Sequence, residues 1–215
     1  MNLAEFIEHT ALRADTDLKK VQAACDLALK HQFAGVCLPP FFVRDARRLL
    51  GEGFRVPKLV TVAGFPMGYS AIASKCEEIK RAVEEGADEI DVVANLAAIK
   101  SGNWNHVSHD IDSTTRSAHM KGCPIKIIFE IGLLSPQETL SLIDVCVGHG
   151  VDFVKTSTGM HGHDATAEQV KFLRAHLPEN IKIKAAGGIR TKSRAEELIA
   201  AGAVRLGSSV GPDLI

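Results

Sequence analysis

Three stretches of this chain share one joint: "EEGADEIDVVA" around Gly86, "GHGVDFVKTS" around Gly150 and "AAGAVRLGSS" around Gly202. In each, a helical pattern ends in glycine, a small or apolar residue follows, and a short apolar strand begins. Glycine suits the joint because helices commonly stop on a left-handed residue, where a side chain would clash. "HQFAGVCLP" is a looser version. A repeated helix-to-strand joint implies parallel strands connected by crossover helices. The helices carry start signals of their own. Ser135-Pro136-Gln137-Glu138 combines a capping serine, a first-turn proline and a reciprocal glutamate. Thr166-Ala167-Glu168-Gln169 and Ser193-Arg194-Ala195-Glu196 repeat that spacing. Residues 18–30, 71–85, 105–120, 136–149, 166–176 and 193–201 are read as helices; Leu18, Val21, Cys25 and Leu29 give the first an apolar face. Residues 7–10, 35–38, 58–63, 89–94, 125–130, 152–156, 181–185 and 204–207 are read as strands. Several, such as "IKIIFEI", are apolar on both faces, as strands covered on both sides must be. Eight strands in 215 residues, most followed by a helix, predict a compact α/β barrel, with a doubly wound open sheet as the rival. No composition shift or linker divides the chain, so residues 1–215 are read as a single domain.

Hydrophobic residues make up 46% of the chain but aromatics only 5%, so the core must be aliphatic. Lys plus Arg is 25 and Asp plus Glu is 26, a balance that leaves no electrostatic footprint for nucleic acid or a membrane surface. No apolar run approaches the ~20 residues that cross a bilayer. The five cysteines are odd in number and form no C-x-x-C; with no secretory leader in view, they read as reduced thiols of a cytoplasmic protein.

In a parallel barrel, chemistry collects at the carboxyl ends of the strands. The polar residues there are Glu8-His9-Thr10, Asp91, Lys126 and Glu130, Lys155 to Gly159, Lys182 and Lys184, and Gly207-Ser208-Ser209. Alternation puts Lys182 and Lys184 on one strand face, and Glu89 and Asp91 on another. If those faces point inward, Lys155, Lys184 and Asp91 share a small, partly dry space, two amines to one carboxylate. Burial and a neighbouring ammonium both lower a lysine's pKa. A neutral amine attacks an aldehyde to form an imine, and the imine makes an adjacent carbanion accessible as an enamine. Asp91 and Lys184 are then placed to move protons. A lone strand-end lysine is usually a solvated cap; the conjunction of all three residues is what points to catalysis. Lys126 is read as structural.

Gly187-Gly188 and Gly207-Ser208-Ser209 follow the last two strands, the usual phosphate position in such barrels, and Thr158 and Gly159 follow strand six. Each glycine pair alone could be only a tight turn. His161-Gly162-His163 lacks a third ligand at characteristic spacing, so no metal is expected. Cys37 reads as a small buried hydrophobe, and "GFPMGYS" at 64–70 as a turn-rich loop shaping the mouth.

"FVKTSTG", "GADEIDVV", "KAAGGIRT", "GFPMG" and "RLGSS" resemble the motifs of the deoxyribose-phosphate aldolase family, in the family's order and over nearly the whole chain; "FVKTSTG" beside "GADEID" is the specific pair. The resemblance implies a (β/α)8 TIM barrel and a class I aldolase without metal or cofactor, acting on a phosphosugar and an aldehyde. The implied reaction is reversible cleavage of 2-deoxy-D-ribose 5-phosphate to D-glyceraldehyde 3-phosphate and acetaldehyde. It matches Lys155 to the family's Schiff-base lysine, Lys184 to its second lysine and Asp91 to its proton-relay aspartate. Gly159, Gly187, Gly188, Gly207 and Ser209 fall where the family binds phosphate. The family often forms homodimers. Glu8 and Ala186 stand where the family usually has Asp and Ser. Another phosphosugar barrel aldolase or isomerase, or a non-catalytic sugar-phosphate sensor, remain the alternatives.

Overall fold

The computed structural model describes residues 2–51, 53 and 57–215. Eight parallel strands close into a barrel in chain order: β1 Ile7–Thr10, β2 Gly35–Cys37, β3 Lys58–Ala63, β4 Glu89–Val93, β5 Ile125–Ile128, β6 Phe153–Lys155, β7 Lys182–Ala186 and β8 Arg205–Ser208, with β8 paired back to β1. The open-sheet alternative is thereby excluded. Eight helices surround it: α1 Leu18–His31, α2 Val43–Leu50, α3 Ile72–Glu84, α4 Leu96–Lys100, α5 Trp104–His119, α6 Pro136–Gly148, α7 Ala167–His176 and α8 Lys192–Ala200. The glycine joints behave as the pattern requires, with φ of 107° at Gly86, 65° at Gly150 and 117° at Gly202. The looser joint is built differently. There Gln32 takes the left-handed conformation (φ 56°) and caps α1, while Gly35 is already strand. A Cβ on Gly35 would lie 2.8 Å from the Lys58 carbonyl oxygen, so glycine serves close strand approach instead of a turn.

The reciprocal capping boxes of α6 and α7 form as spaced, Ser135 with Glu138 and Thr166 with Gln169. In α8 the cap moves two residues earlier, to Thr191, whose side chain accepts from the Arg194 N–H. Both Thr191 and Ser193 have capping chemistry; the extended backbone at Thr191 decides between them. Helix α2 escaped the sequence reading although Val43, Ala46 and Leu50 lie on one face, because it starts from Phe42 with no side-chain cap. Packing of that face, not a start signal, holds it.

Strand alternation divides the interior in two. Ile7, Val36, Leu59, Ile90, Val92, Ile125, Ile127, Val154, Ile183 and Leu206 point outward and bury against the helices. The opposite faces fill the barrel. On β2 and β3 that filling is apolar, from Cys37, Val60 and Val62. On β1 and β4 to β8 it is ionic. The pairing Asp91 to Lys126, Lys155 to Lys184 and Lys184 to Arg205 brings those side chains to the same levels. No described helix is long and apolar enough to cross a membrane.

Candidate active site

Asp91 is wholly buried and sits among three lysines. Its Oδ2 accepts from Lys155 Nζ at 2.8 Å and from Lys184 Nζ at 2.8 Å, and its Oδ1 accepts from Lys126 Nζ at 3.0 Å. The chain thus brings residues 64 and 93 positions from Asp91 onto one oxygen atom. Burial alone would raise the Asp91 pKa; Lys126, Lys155 and Lys184 together pull it well below the carboxylate range.

Two further carboxylates change the charge balance expected from the sequence. Lys184 Nζ makes a close contact with Glu8 Oε2, and Lys126 Nζ lies 2.6 Å from Glu89 Oε2 and 3.7 Å from Glu8 Oε1. Arg205 Nε approaches Glu8 Oε1 at 3.8 Å from the edge of the cluster. Two amines facing one carboxylate was the sequence expectation; three lysines facing three carboxylates is the arrangement. Burial tends to lower the Lys184 pKa, but Asp91 and Glu8 outweigh it and hold this amine above the ordinary lysine range. The second amine is therefore a fixed ammonium, which corrects the picture of two mutually depressed amines. Lys126 is held high in the same way by Asp91, Glu8 and Glu89, against the opposing effect of burial. Glu8, despite its extra methylene, reaches the cluster. Space for it comes from Gly35 across the pair, where a Cβ would lie 3.4 Å from Glu8 Cγ.

Above the cluster opens a cavity of about 220 Å³. Lys155 lines its floor; Asp91 and Lys184 lie beneath and do not reach its wall. Thr158, Gly159, Gly187, Gly188, Gly207, Ser208 and Ser209 all line it. They do not present equivalent groups. Thr158 directs both its N–H and its hydroxyl to Glu130 Oε2. Ser208 Oγ donates to the Ile189 carbonyl at 2.7 Å. Among the described residues, the N–H groups of Gly159, Gly187, Gly188 and Ser209 donate to no other protein group. Gly187 and Gly188 have φ of 103° and 68°, and a Cβ on Gly188 would fall 2.0 Å from the Asp164 carboxylate. The turn and the close packing both require glycine. Gly207 has another duty as well: a Cβ there would lie 2.9 Å from Ala186 Cβ and 3.4 Å from Lys184 Cε, so its absence makes room for the ammonium stem.

Sequence reasoning placed Thr10 at a strand end without giving it a role and did not single out Arg13 or Arg190; all three line the cavity. Arg190 sits two residues beyond the glycine pair and was within reach of the same argument. Arg13 lies in a loop without motif, so only the folded chain reveals it. Thr156 was placed at the end of strand six but given no role. Its hydroxyl donates to the Ala186 carbonyl and accepts from the Ala186 N–H, both at 3.0 Å. That bridge ties the end of β6 to β7 and fixes Gly187 relative to Lys155. Cys37 is fully buried in the apolar half, with its thiol pushed up to about 11 by burial. Among the described residues, no group of three or more His, Cys, Asp or Glu gathers as a metal site.

The arrangement is an amine at the floor of a pocket, ion-paired from below, with unpaired N–H donors on the wall. It suits a carbonyl compound carrying an anionic group. A model of the DeoC/LacD family of aldolases matches residues 5–212. The deoxyribose-phosphate aldolase of Desulfitobacterium hafniense (strain DSM 10664 / DCB-2) is 41% identical over 216 residues, spanning 100% of this chain and 98% of its own. The deoxyribose-phosphate aldolase of Thermococcus gammatolerans is 37% identical, spanning 100% of this chain and 96% of its own. A solved deoxyribose phosphate aldolase from Aeropyrum pernix, described as a unique tetramer, superposes with a TM-score of 0.89 at 29% identity, over 99% of this chain and 88% of that one.

Proposed function

The chain belongs to the DeoC/LacD family of aldolases, and from that premise we propose that it cleaves 2-deoxy-D-ribose 5-phosphate reversibly to D-glyceraldehyde 3-phosphate and acetaldehyde through an imine on Lys155. One observation carries the assignment of roles: among the described residues, Lys155 alone both lines the cavity and bonds to the buried ion cluster, through Asp91.

The steps follow from charge. Amine, aldehyde and one proton become an iminium and water, so a positive charge stands beside Asp91 until the carbon–carbon bond breaks. The depressed pKa of Asp91 suits it as the counter-ion for that charge. Acetaldehyde carries C1 and C2 of the sugar, so the bond that breaks is C2–C3. The C3 hydroxyl gives up its proton through water to Asp91, its oxygen becomes the aldehyde carbonyl of glyceraldehyde 3-phosphate, the C2–C3 electron pair moves to C2, and the iminium becomes a neutral enamine. At that moment Asp91 loses one of its three cations and grows more basic, when a proton must be accepted. Lys184, held as an ammonium by Glu8, keeps the carboxylate in place throughout. Protonation at C2 restores the iminium, and water releases acetaldehyde. The phosphate would rest on the N–H groups of Gly159, Gly187, Gly188 and Ser209, with Arg190 and Arg13 at the rim.

Borohydride reduction in the presence of substrate tests this. A reduced carbon fragment on the peptide containing Lys155 is expected, and none with Lys155→Leu. Trapping at a different lysine, or no trapping with an active preparation, would remove Lys155 from its role. We assign residues 1–215 to one aldolase domain working in the cytoplasm as a homodimer, the last point to be read by light scattering against the tetramer of the Aeropyrum relative.

A further inference from the structure

Glu130 is fully buried just past the end of β5, and it is one of only two non-glycine residues with positive φ among those described (φ 52°, ψ 51°). A bulky residue held in the left-handed region is a strained position that persists only when its surroundings demand it. The demand here is visible. Glu130 Oε2 accepts the Thr158 N–H at 2.9 Å and also the Thr158 hydroxyl in a short bond. The Thr158 hydroxyl in turn accepts the Met160 N–H at 3.1 Å. One carboxylate oxygen thereby orders the 157–158 peptide directly and the 159–160 peptide through the Thr158 hydroxyl, the two neighbours of the peptide that carries the Gly159 N–H. The backbone supports the same tie, since the Ile131 N–H donates to the Thr156 carbonyl at 2.9 Å. On the far side the loop wedges against Gly132, where a Cβ would lie 2.5 Å from His163 Cβ. His161 Nε2 lies 4.0 Å from Glu130 Oε2, and neither it nor Glu130 Oε1 has a hydrogen-bond partner.

This arrangement is not needed for imine chemistry, because Glu130 touches neither Lys155 nor Asp91 among the described contacts. It is also not a direct ligand for an anion, being itself an anion. What it does is consume the donors of Thr158 and leave the Gly159 N–H unengaged at the cavity wall. We infer that Glu130 is a positioning residue for recognition of the substrate's phosphate: it sets the 158–160 loop so that the Gly159 N–H serves the anion, and it sets the preference for phosphorylated over unphosphorylated sugar. This rests on the aldolase reading above for its substrate, but not for its geometry.

The experiment compares 2-deoxyribose 5-phosphate with 2-deoxyribose in wild type, Glu130→Ala, Glu130→Gln and Thr158→Val. Glu130→Ala should raise KM for the phosphorylated sugar about 10- to 100-fold with kcat nearly kept, while kcat/KM for the unphosphorylated sugar changes little. Glu130→Gln retains a carbonyl oxygen able to accept both bonds and should recover most of the loss. Thr158→Val keeps the N–H bond and loses the hydroxyl, so it should give a smaller effect of the same kind; it serves as the test if Glu130→Ala does not fold. An equal loss on both sugars, or no loss on either, overturns the inference and leaves the aldolase reading intact. Binding of inorganic phosphate by calorimetry separates the two ideas. Wild type that binds phosphate without turning over either sugar defeats the aldolase reading alone, and Glu130→Ala binding phosphate as tightly as wild type defeats this one alone.

Discussion

Asp91 Oδ2 holds two lysine side chains at equal distance, and the difference between them lies in what else each touches. Lys184 has Glu8 behind it and stays charged; Lys155 has the cavity in front of it. Replacing Lys184 by Met should therefore separate holding from reacting. It removes a cation from Asp91 and a partner from Glu8, both buried. The Asp91 pKa should rise toward the ordinary carboxylate range, and kcat should fall about 10²- to 10⁴-fold. Borohydride trapping at Lys155 should persist at a reduced rate. The pH dependence of kcat should gain an acid limb at higher pH than in wild type. An unchanged pH profile would show that Lys184 does not set the charge on Asp91. At this scale the candidate site residues were legible as polar side chains at strand ends, where an aliphatic barrel has no structural use for them. Their charge balance was not legible. Lys126 and Lys184 look like Lys155 in the sequence, and only the folded contacts show that Glu89 stands against the first and Glu8 against the second.

Among the helices, α3 and α5 pack through an ion pair that has no part in the site. Lys75 Nζ lies 2.6 Å from Asp110 Oδ2 and donates to the Val93 carbonyl at 2.9 Å, pinning both helices to the end of β4. Its stem fills the space beneath Gly64, where a Cβ would lie 2.7 Å from Lys75 Cε. The glycine that begins the "GFPMG" loop thus accommodates a lysine as well as a turn (φ 61°). Burial dominates here. It lowers the Lys75 pKa and raises that of Asp110, so both groups are pushed toward neutrality in spite of their contact. Lys75→Met or Asp110→Leu alone should destabilise by about 3–5 kcal/mol, because each leaves a buried charge or strands its partner. The double variant should be neutral, or more stable by about 1–4 kcal/mol. Urea unfolding of the two singles and the double reads the coupling; additive losses would mean that the pair is not coupled. By residue type alone, nothing separates Lys75 from the solvated Lys80 on the same helix. Its burial is a property of the α3–α5 interface, whereas the boxes that start α6 and α7 are local and were readable residue by residue.

For the molecule as a whole, the barrel interior ties stability to pH on two sides. Asp91 and Glu8 are depressed in the folded state, so their contribution is complete above the unfolded carboxylate values of about 4 and is lost as pH falls below them. Lys126 and Lys184 are raised, so theirs is complete below the unfolded lysine value of about 10 and is lost as pH rises above it. The urea midpoint should form a plateau between about pH 5 and 9 and fall on either side. A steady slope across that range would mean that other groups dominate, and Asp91→Asn should shrink the acid limb. The number and direction of the strands, and the alternation that puts Glu89 with Asp91 and Lys182 with Lys184 on shared faces, were determined by the sequence alone. Those features arise from short-range causes: a glycine past a helix end, a capping side chain, a two-residue period. Closure of β8 onto β1, the reach of Glu8 to Lys184, the Glu130 tie to Thr158 and the burial of Lys75 were decided only in the tertiary structure. Each depends on distances between residues far apart in the chain and on the exclusion of water between them, and no local pattern encodes either quantity.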